Sequence, residues 1–437
     1  MPLTFVFRLI SPHGIKSGRV GSIFSSFLQK VVTLQYSKTL GEMKILISID
    51  MYATTCNGTS VSAQRFVAEL RRQGHDVRVM STVGDGTLPV DYPLKVRRIF
   101  PFDAIIHKYG FAYARTDRKV MREAIAWCDV VHFMMPFETT YFGKQLADEL
   151  NKPATAAFHV QPENIASAFN LGNSRFISDM VYRMWRKMVY DRFDYIHCPS
   201  RFIRDELVRH GYKSHICPIS NGIDKEFVYQ KGERVDFPKD KIVVSMVGRL
   251  AHEKRQDLLI KAVQMSKYAD RIQLVLMGRG PLYNTYRRQA KDLKNPPIFG
   301  FYSKEELIRL LGQVDLYVHA SDMESEAISC IEAIATGLVP VISDSKLSAT
   351  SQFALDDRSL FKAGDAADLS RKIDWWIEHP AEKARMERVY ADHALQYSLQ
   401  RSVQQFTQML EAAIDTHYHV GQSADLRPDD ATSLSCS

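Results

Sequence analysis

A chain of 437 residues, 45% hydrophobic and 24% charged, has ample material for buried cores and the length of two or three domains. Its formal charge of +7 is too mild for a dedicated nucleic-acid binder, while an anionic small ligand or an anionic membrane surface stays open. Six scattered cysteines (Cys56, Cys128, Cys198, Cys217, Cys330, Cys436) without a C-x-x-C pair read as reduced core residues of a cytoplasmic protein, and no window reaches the roughly 18 apolar residues of a transmembrane helix.

Residues 1–42 are basic, with short apolar bursts that Arg8 interrupts before a secretory h-region can form. They read as a poorly structured extension ahead of a true or alternative start at Met43; an interfacial basic anchor is the other reading. From Met43 strands and helices alternate. KILISID is followed by a helix through AQRFVAELRRQG and the strand HDVRVMST, then by the strands DVVHFM (129–134), ATAAFHV (154–160) and YIHCPS (195–200). Such alternation predicts a parallel α/β sheet over residues 43–221, with ligands at the carboxyl ends of its strands. Turn residues and charge mark 222–240 as a linker.

The alternation restarts over 241–395 with KIVVSMVGRL, IQLVLMG, PIFGFY, VDLYVHAS and VPVIS as strands. From Ala381 to Ala413 one amphipathic helical run is expected, with Leu395, Leu399, Val403, Phe406 and Leu410 as its packing face; residues 396–414 form the closing helix and 415–437 a polar, disordered tail. The fold class is therefore α/β, two doubly wound lobes in series.

The loops between such lobes carry the chemistry. In the first, NGTS places Gly58 between a strand and a helix, as a tight turn or a ligand loop. His159 follows a strand, as a core histidine or a cleft residue. In the second lobe, GRLAHEKR brings Gly248, Arg249 and Lys254 after a strand, and a guanidinium with an ammonium suits a diphosphate. DMESEAISCIEAIATG (322–337) reads as a strand end, a loop and a helix start, with Glu324 and Glu332 eight residues apart. That offset is roughly 80° on a helix, so a shared cleft needs Glu324 in the loop and Glu332 on the second turn; a solvated helix face is the alternative.

GRL-x2-EK, GRGP, FGFYSKEEL and E-x7-E followed by A-x-A-x-G-x-x-P-V together resemble the family-4 retaining glycosyltransferases of the GT-B fold (glycosyl transferases group 1), and Gly58, GHDVRV, DVVH, His159 and NGID agree in the first lobe. The resemblance covers Met43 to about Ala413. It implies two Rossmann-like lobes facing across a cleft and transfer of a hexosyl group from a nucleotide diphosphate sugar, UDP-glucose first. By the same resemblance Arg249 and Lys254 hold the diphosphate with the amides of Ala327 and Ile328, and Glu324 contacts the sugar. Glu332 takes the ribose, His159 and Gly58 lie near the sugar and phosphates, and the base lies against Gly300, Phe301 and Tyr302. No Asp-x-Asp occurs, so transfer without metal or other cofactor is expected.

Glu326 departs from the pattern, because a second carboxylate near a diphosphate repels it unless turned away. A catalytically silent scaffold is therefore one rival; an NAD-dependent oxidoreductase is another, weakened by the missing G-x-G-x-x-G. The acceptor expected is a membrane lipid such as diacylglycerol or a cell-surface glycan precursor, with peripheral contact to the inner face of the cell membrane and no nucleic-acid partner. The basic, aromatic-bearing stretches 107–122 and 175–193 are suited to anionic headgroups, or to ordinary packed helices with solvated faces.

Overall fold

The computed structural model describes residues 41–53, 58–84, 88–98, 100, 112–163 and 175–419. The chain from Met43 onward is a compact unit by itself. The extension, the polar tail beyond His419, residues 107–111 of the stretch 107–122, and Cys56, Asn57 and Cys436 lie outside the described residues.

Apolar runs hidden on both faces are the mark of parallel strands covered by helices. In the first lobe Lys44–Met51 is buried after its first residue. It pairs in parallel with Asp76–Thr82 on one side and Val130–Phe133 on the other. Seven strands follow the spatial order third, second, first, fourth, fifth, sixth, seventh, ending at His215–Pro218. The second lobe repeats the design. Ile242–Val247 lies between Ile272–Met277 and Leu316–His319 in a six-stranded sheet, again with its first strand in third place. In each lobe the strand order reverses beside the first strand, and the carboxyl ends there open a crevice for a ligand.

The expected strands form with shorter limits: Val130–Phe133, Ala154–Ala157 and Tyr195–Cys198. Cys128, Cys198, Cys217 and Cys330 are buried. Among the described residues no helix is long and apolar enough to cross a membrane.

The run 381–413 is not one helix. Pro380–Ala394 ends in a 3-10 turn at Leu395–Tyr397, and a second helix spans Leu399–His419, beyond the limit expected at residue 414. Leu395 sits in the break, 67% exposed, and so leaves the packing face, whereas Val403, Phe406 and Leu410 are fully enclosed. Those three join the first lobe's core with Phe66, whose ring meets Phe406 edge-on at 5.4 Å. Tyr195 and Thr416 share a hydroxyl hydrogen bond of 3.0 Å, so the last helix is pinned back on the first lobe near its far end.

Candidate active site

The second-lobe crevice lies between the ends of Ile242–Val247 and Leu316–His319. After the first of these strands the chain runs through Gly248 and Arg249 to a short 3-10 turn, His252–Lys254. The neighbouring GRGP loop is laid directly on it. The N–H groups of Gly248 and Leu250 donate to the carbonyls of Met277 and Arg279 at 2.9 and 3.0 Å. A Cβ on Gly278 would stand 1.9 Å from the Gly248 carbonyl oxygen, and one on Gly280 2.2 Å from that of Leu250. The two motifs are thus one piece of backbone, and glycine is what lets them touch.

Glu324 ends a two-residue strand, Met323–Glu324, and is 9% exposed. Lys254 Nζ donates to its Oε1 at 2.5 Å, and His319 Nε2 lies 3.0 Å from the same oxygen. Burial opposes its charge, yet Lys254 and then His319 outweigh it and hold the carboxyl well below the usual carboxylate range. The Tyr317 hydroxyl lies 3.1 Å from His319 Nδ1, orienting the ring. Arg255 bonds both Asp257 and Asp322, at 3.2 and 2.9 Å, and so fixes the turn that delivers Glu324. His319 and Arg255 carry no weight in the sequence reading; the one signal for His319 is its place at a strand end five residues before Glu324.

Arg249 and Lys254 part company. Lys254 is committed to Glu324, whereas Arg249 is exposed and its guanidinium has no partner among the described residues. Downstream, the helix Ile328–Ala335 opens from Ala327, a non-glycine residue in the left-handed region at φ 76°. Such a conformation costs on the order of 1–2 kcal/mol and turns the chain sharply out of the Glu324 strand.

Glu332 lies on the second turn, 7% exposed, and faces the first lobe. Arg65 reaches it at 3.2 Å and reaches Asp224 at 3.4 Å. Burial pushes the Glu332 carboxyl up to about 7, with Arg65 working against it. Glu326, the misfit of the motif, is 4% exposed. It accepts the backbone N–H and the side-chain amide of Asn221 at 3.0 and 2.6 Å, joining the lobes. The Ser200 hydroxyl donates to the Ser325 carbonyl at 2.6 Å beside it. The Glu326 carboxylate is thus engaged by the first lobe.

The remaining residues are spread around this centre. Gly58 begins the helix Gly58–Arg72, with open space where a Cβ would be. His159 lies two residues past its strand. Its Nε2 is enclosed without a partner, its ring meets His197 edge-on at 4.9 Å, and burial followed by His197 holds it well below the ordinary imidazole range. Gly300 lies under the Tyr302 side chain, whose hydroxyl would be 2.0 Å from an added Cβ. Phe301 is 60% exposed with the Arg279 guanidinium 4.1 Å from its ring centre. Among the described residues no cluster of His, Cys, Asp and Glu is arranged to hold a metal.

Both lobes are similar to known proteins. Residues 56–227 match the family model Glycosyltransferase Family 4, and residues 230–392 match Glycosyl transferases group 1. Alpha-monoglucosyldiacylglycerol synthase of Streptococcus pneumoniae is 25% identical over 315 residues, covering 69% of this chain and 70% of that protein. A GDP-mannose-dependent alpha-mannosyltransferase of Corynebacterium glutamicum is 26% identical, over 69% and 72%. The catalytic domain of cholesterol-alpha-glucosyltransferase from Helicobacter pylori is 51% identical over 36% of this chain and 99% of that one, at a TM-score of 0.35. Anabaena HepE, solved with UDP and glucose, shares the fold at a TM-score of 0.65 and 16% identity, over 85% of this chain and 100% of that one. The two family models lie end to end across both lobes, and the silent-scaffold and oxidoreductase readings fall away. The chain belongs to the GT-B-fold glycosyltransferases in which a Glycosyltransferase Family 4 domain precedes a Glycosyl transferases group 1 domain.

Proposed function

We propose that this glycosyltransferase moves a hexosyl group, glucose from UDP-glucose first, onto a hydroxyl of a membrane lipid such as diacylglycerol, with retention of configuration and without metal. The observation that carries the reading is Glu324 held by Lys254 and His319, with the exposed, unpaired guanidinium of Arg249 on the same loop as Lys254. The diphosphate leaving group gains negative charge while the sugar becomes cation-like. Arg249 and Lys254 at the phosphates and a buried carboxylate at the sugar stabilise both changes. The bond from the anomeric carbon to the phosphate oxygen breaks, the bond to the acceptor oxygen forms on the same face, and the acceptor proton passes to a phosphate oxygen. The lipid acceptor is supported by the diacylglycerol relative, and GDP-mannose is the competing donor suggested by the mannosyltransferase.

The test is nucleoside diphosphate release and product analysis with each donor, with diacylglycerol and a sterol as acceptors, and with chelator present. UDP release from UDP-glucose in chelator and an α-linked glycolipid are expected. Glu324→Gln and Lys254→Ala should each lower kcat/KM by about 100-fold or more. Full activity in both variants, or a strict metal requirement, would sink the site assignment.

A further inference from the structure

Outside the cleft one surface stands apart, the helix Arg175–Met188 of the first lobe. Its inner face is settled. Ser178, Tyr182 and Trp185 are buried, Tyr182 stacks on His210 at 3.9 Å, and Arg186 donates to the His210 carbonyl at 2.7 Å. Its outer face carries Phe176, Met180, Met184 and Met188, exposed by 74, 52, 46 and 53%. At 100° per residue these four spread over roughly 120°, opposite the buried three, and Arg183 and Lys187 fall beside Phe176 on the same side.

The charges on this helix are as lopsided as the apolar residues. Arg175 and Lys187 are exposed without a carboxylate partner among the described residues, and Arg183 donates from Nε to the backbone carbonyl of Asp179. The helix has one acid, Asp179, already bonded to His210 at 2.8 Å. A contiguous apolar stripe on an exposed helix marks an interaction site. Unpaired cations flanking flexible methionines and a phenylalanine suit a surface of phosphate headgroups over acyl chains.

We propose that this helix docks the protein on an anionic lipid bilayer, Phe176, Met180, Met184 and Met188 entering the acyl boundary while Arg175, Arg183 and Lys187 engage lipid phosphates. The inference deepens the lipid-acceptor reading and rests on it for its purpose, because docking would hold the first lobe where a lipid hydroxyl emerges.

The full chain is sedimented with phosphatidylcholine vesicles with and without phosphatidylglycerol. Binding to the anionic vesicles, weakened by salt, is expected. The triple variant Phe176→Ser, Met180→Ser, Met184→Ser and the double variant Arg183→Gln, Lys187→Gln should each bind about tenfold more weakly or worse, with thermal melting and UDP binding unchanged. No vesicle binding at low salt, or binding by both variants as tight as the parent's, overturns the proposal. So does a dimer in solution that the triple variant abolishes without any change in vesicle binding. Vesicle binding without glycosylation of any lipid would instead overturn the acceptor reading and leave the docking surface standing.

Discussion

Glu332 illustrates how a single side chain can hold two partners in turn. The family resemblance assigns it to a ribose, yet its carboxyl is bonded by Arg65 from the opposite lobe, 267 residues away in the chain. For the ribose to reach Glu332, that guanidinium must let go. A partly exposed pair of this kind is worth about 1 kcal/mol, so Arg65→Ala should tighten UDP binding by about fivefold, measured by calorimetry at neutral pH. Unchanged or weaker binding would place the ribose elsewhere. The carboxylates and cations of the crevice were legible because they fall at loop positions set by strand ends. Arg65 was not, since it lies on the helix Gly58–Arg72 and nothing local separates it from Arg71 and Arg72. Glu326 looked anomalous for the same reason. Its partner, Asn221, is 105 residues distant, and only the assembled lobes bring them together.

The elements themselves were readable wherever periodicity was long and burial uniform, as in Ile272–Met277, every residue of which is buried. The helix expected through 381–413 failed because apolar spacing continues across Leu395 while the backbone does not: Ser398 forms a parallel bridge with Ile223, and an extended residue cannot sit inside a helix. Tertiary pairing overrode the local pattern there. The glycine-rich loops lend themselves to a contrast at this scale. Gly278→Ala must push the Gly248 carbonyl aside and should cost about 1–3 kcal/mol in denaturant unfolding. Gly58→Ala meets nothing within 4 Å and should leave stability nearly unchanged while weakening donor binding. Equal melting of both variants would contradict the close approach described for the GRGP loop.

At the scale of the whole molecule, polar contacts among the described residues that join the lobes include Arg65 with Glu332, Asn221 with Glu326, Ser200 with Ser325, and Gln161 with Leu347 at 3.0 Å. Glu326 titrates, as Glu332 does. Burial raises Glu326 from 4.5 to about 7, against the Ser220 and Asn221 hydrogen bonds. The native state therefore holds this proton more tightly than the unfolded chain does. Its ionisation subtracts stability progressively as pH rises from about 4.5 to about 7, and in full above that. Glu326→Gln keeps an acceptor for Asn221 without the charge, so its melting temperature should fall less than the parent's over that interval. A parallel decline in both proteins would show that Glu326 is already ionised in the folded state.

The junction between the lobes has a mechanical meaning. The chain leaves the first lobe at Ile223 and returns at Leu399, and the two passages are tied. Ile223 donates to the Tyr397 carbonyl and Leu399 to the Ile223 carbonyl, both at 2.9 Å. Gly222, at φ 72°, is pressed so close that a Cβ would lie 2.6 Å from the Leu399 Cα. Two crossings stapled together leave no slack between the halves. A rotation of one half against the other would have its pivot here, where both crossings meet.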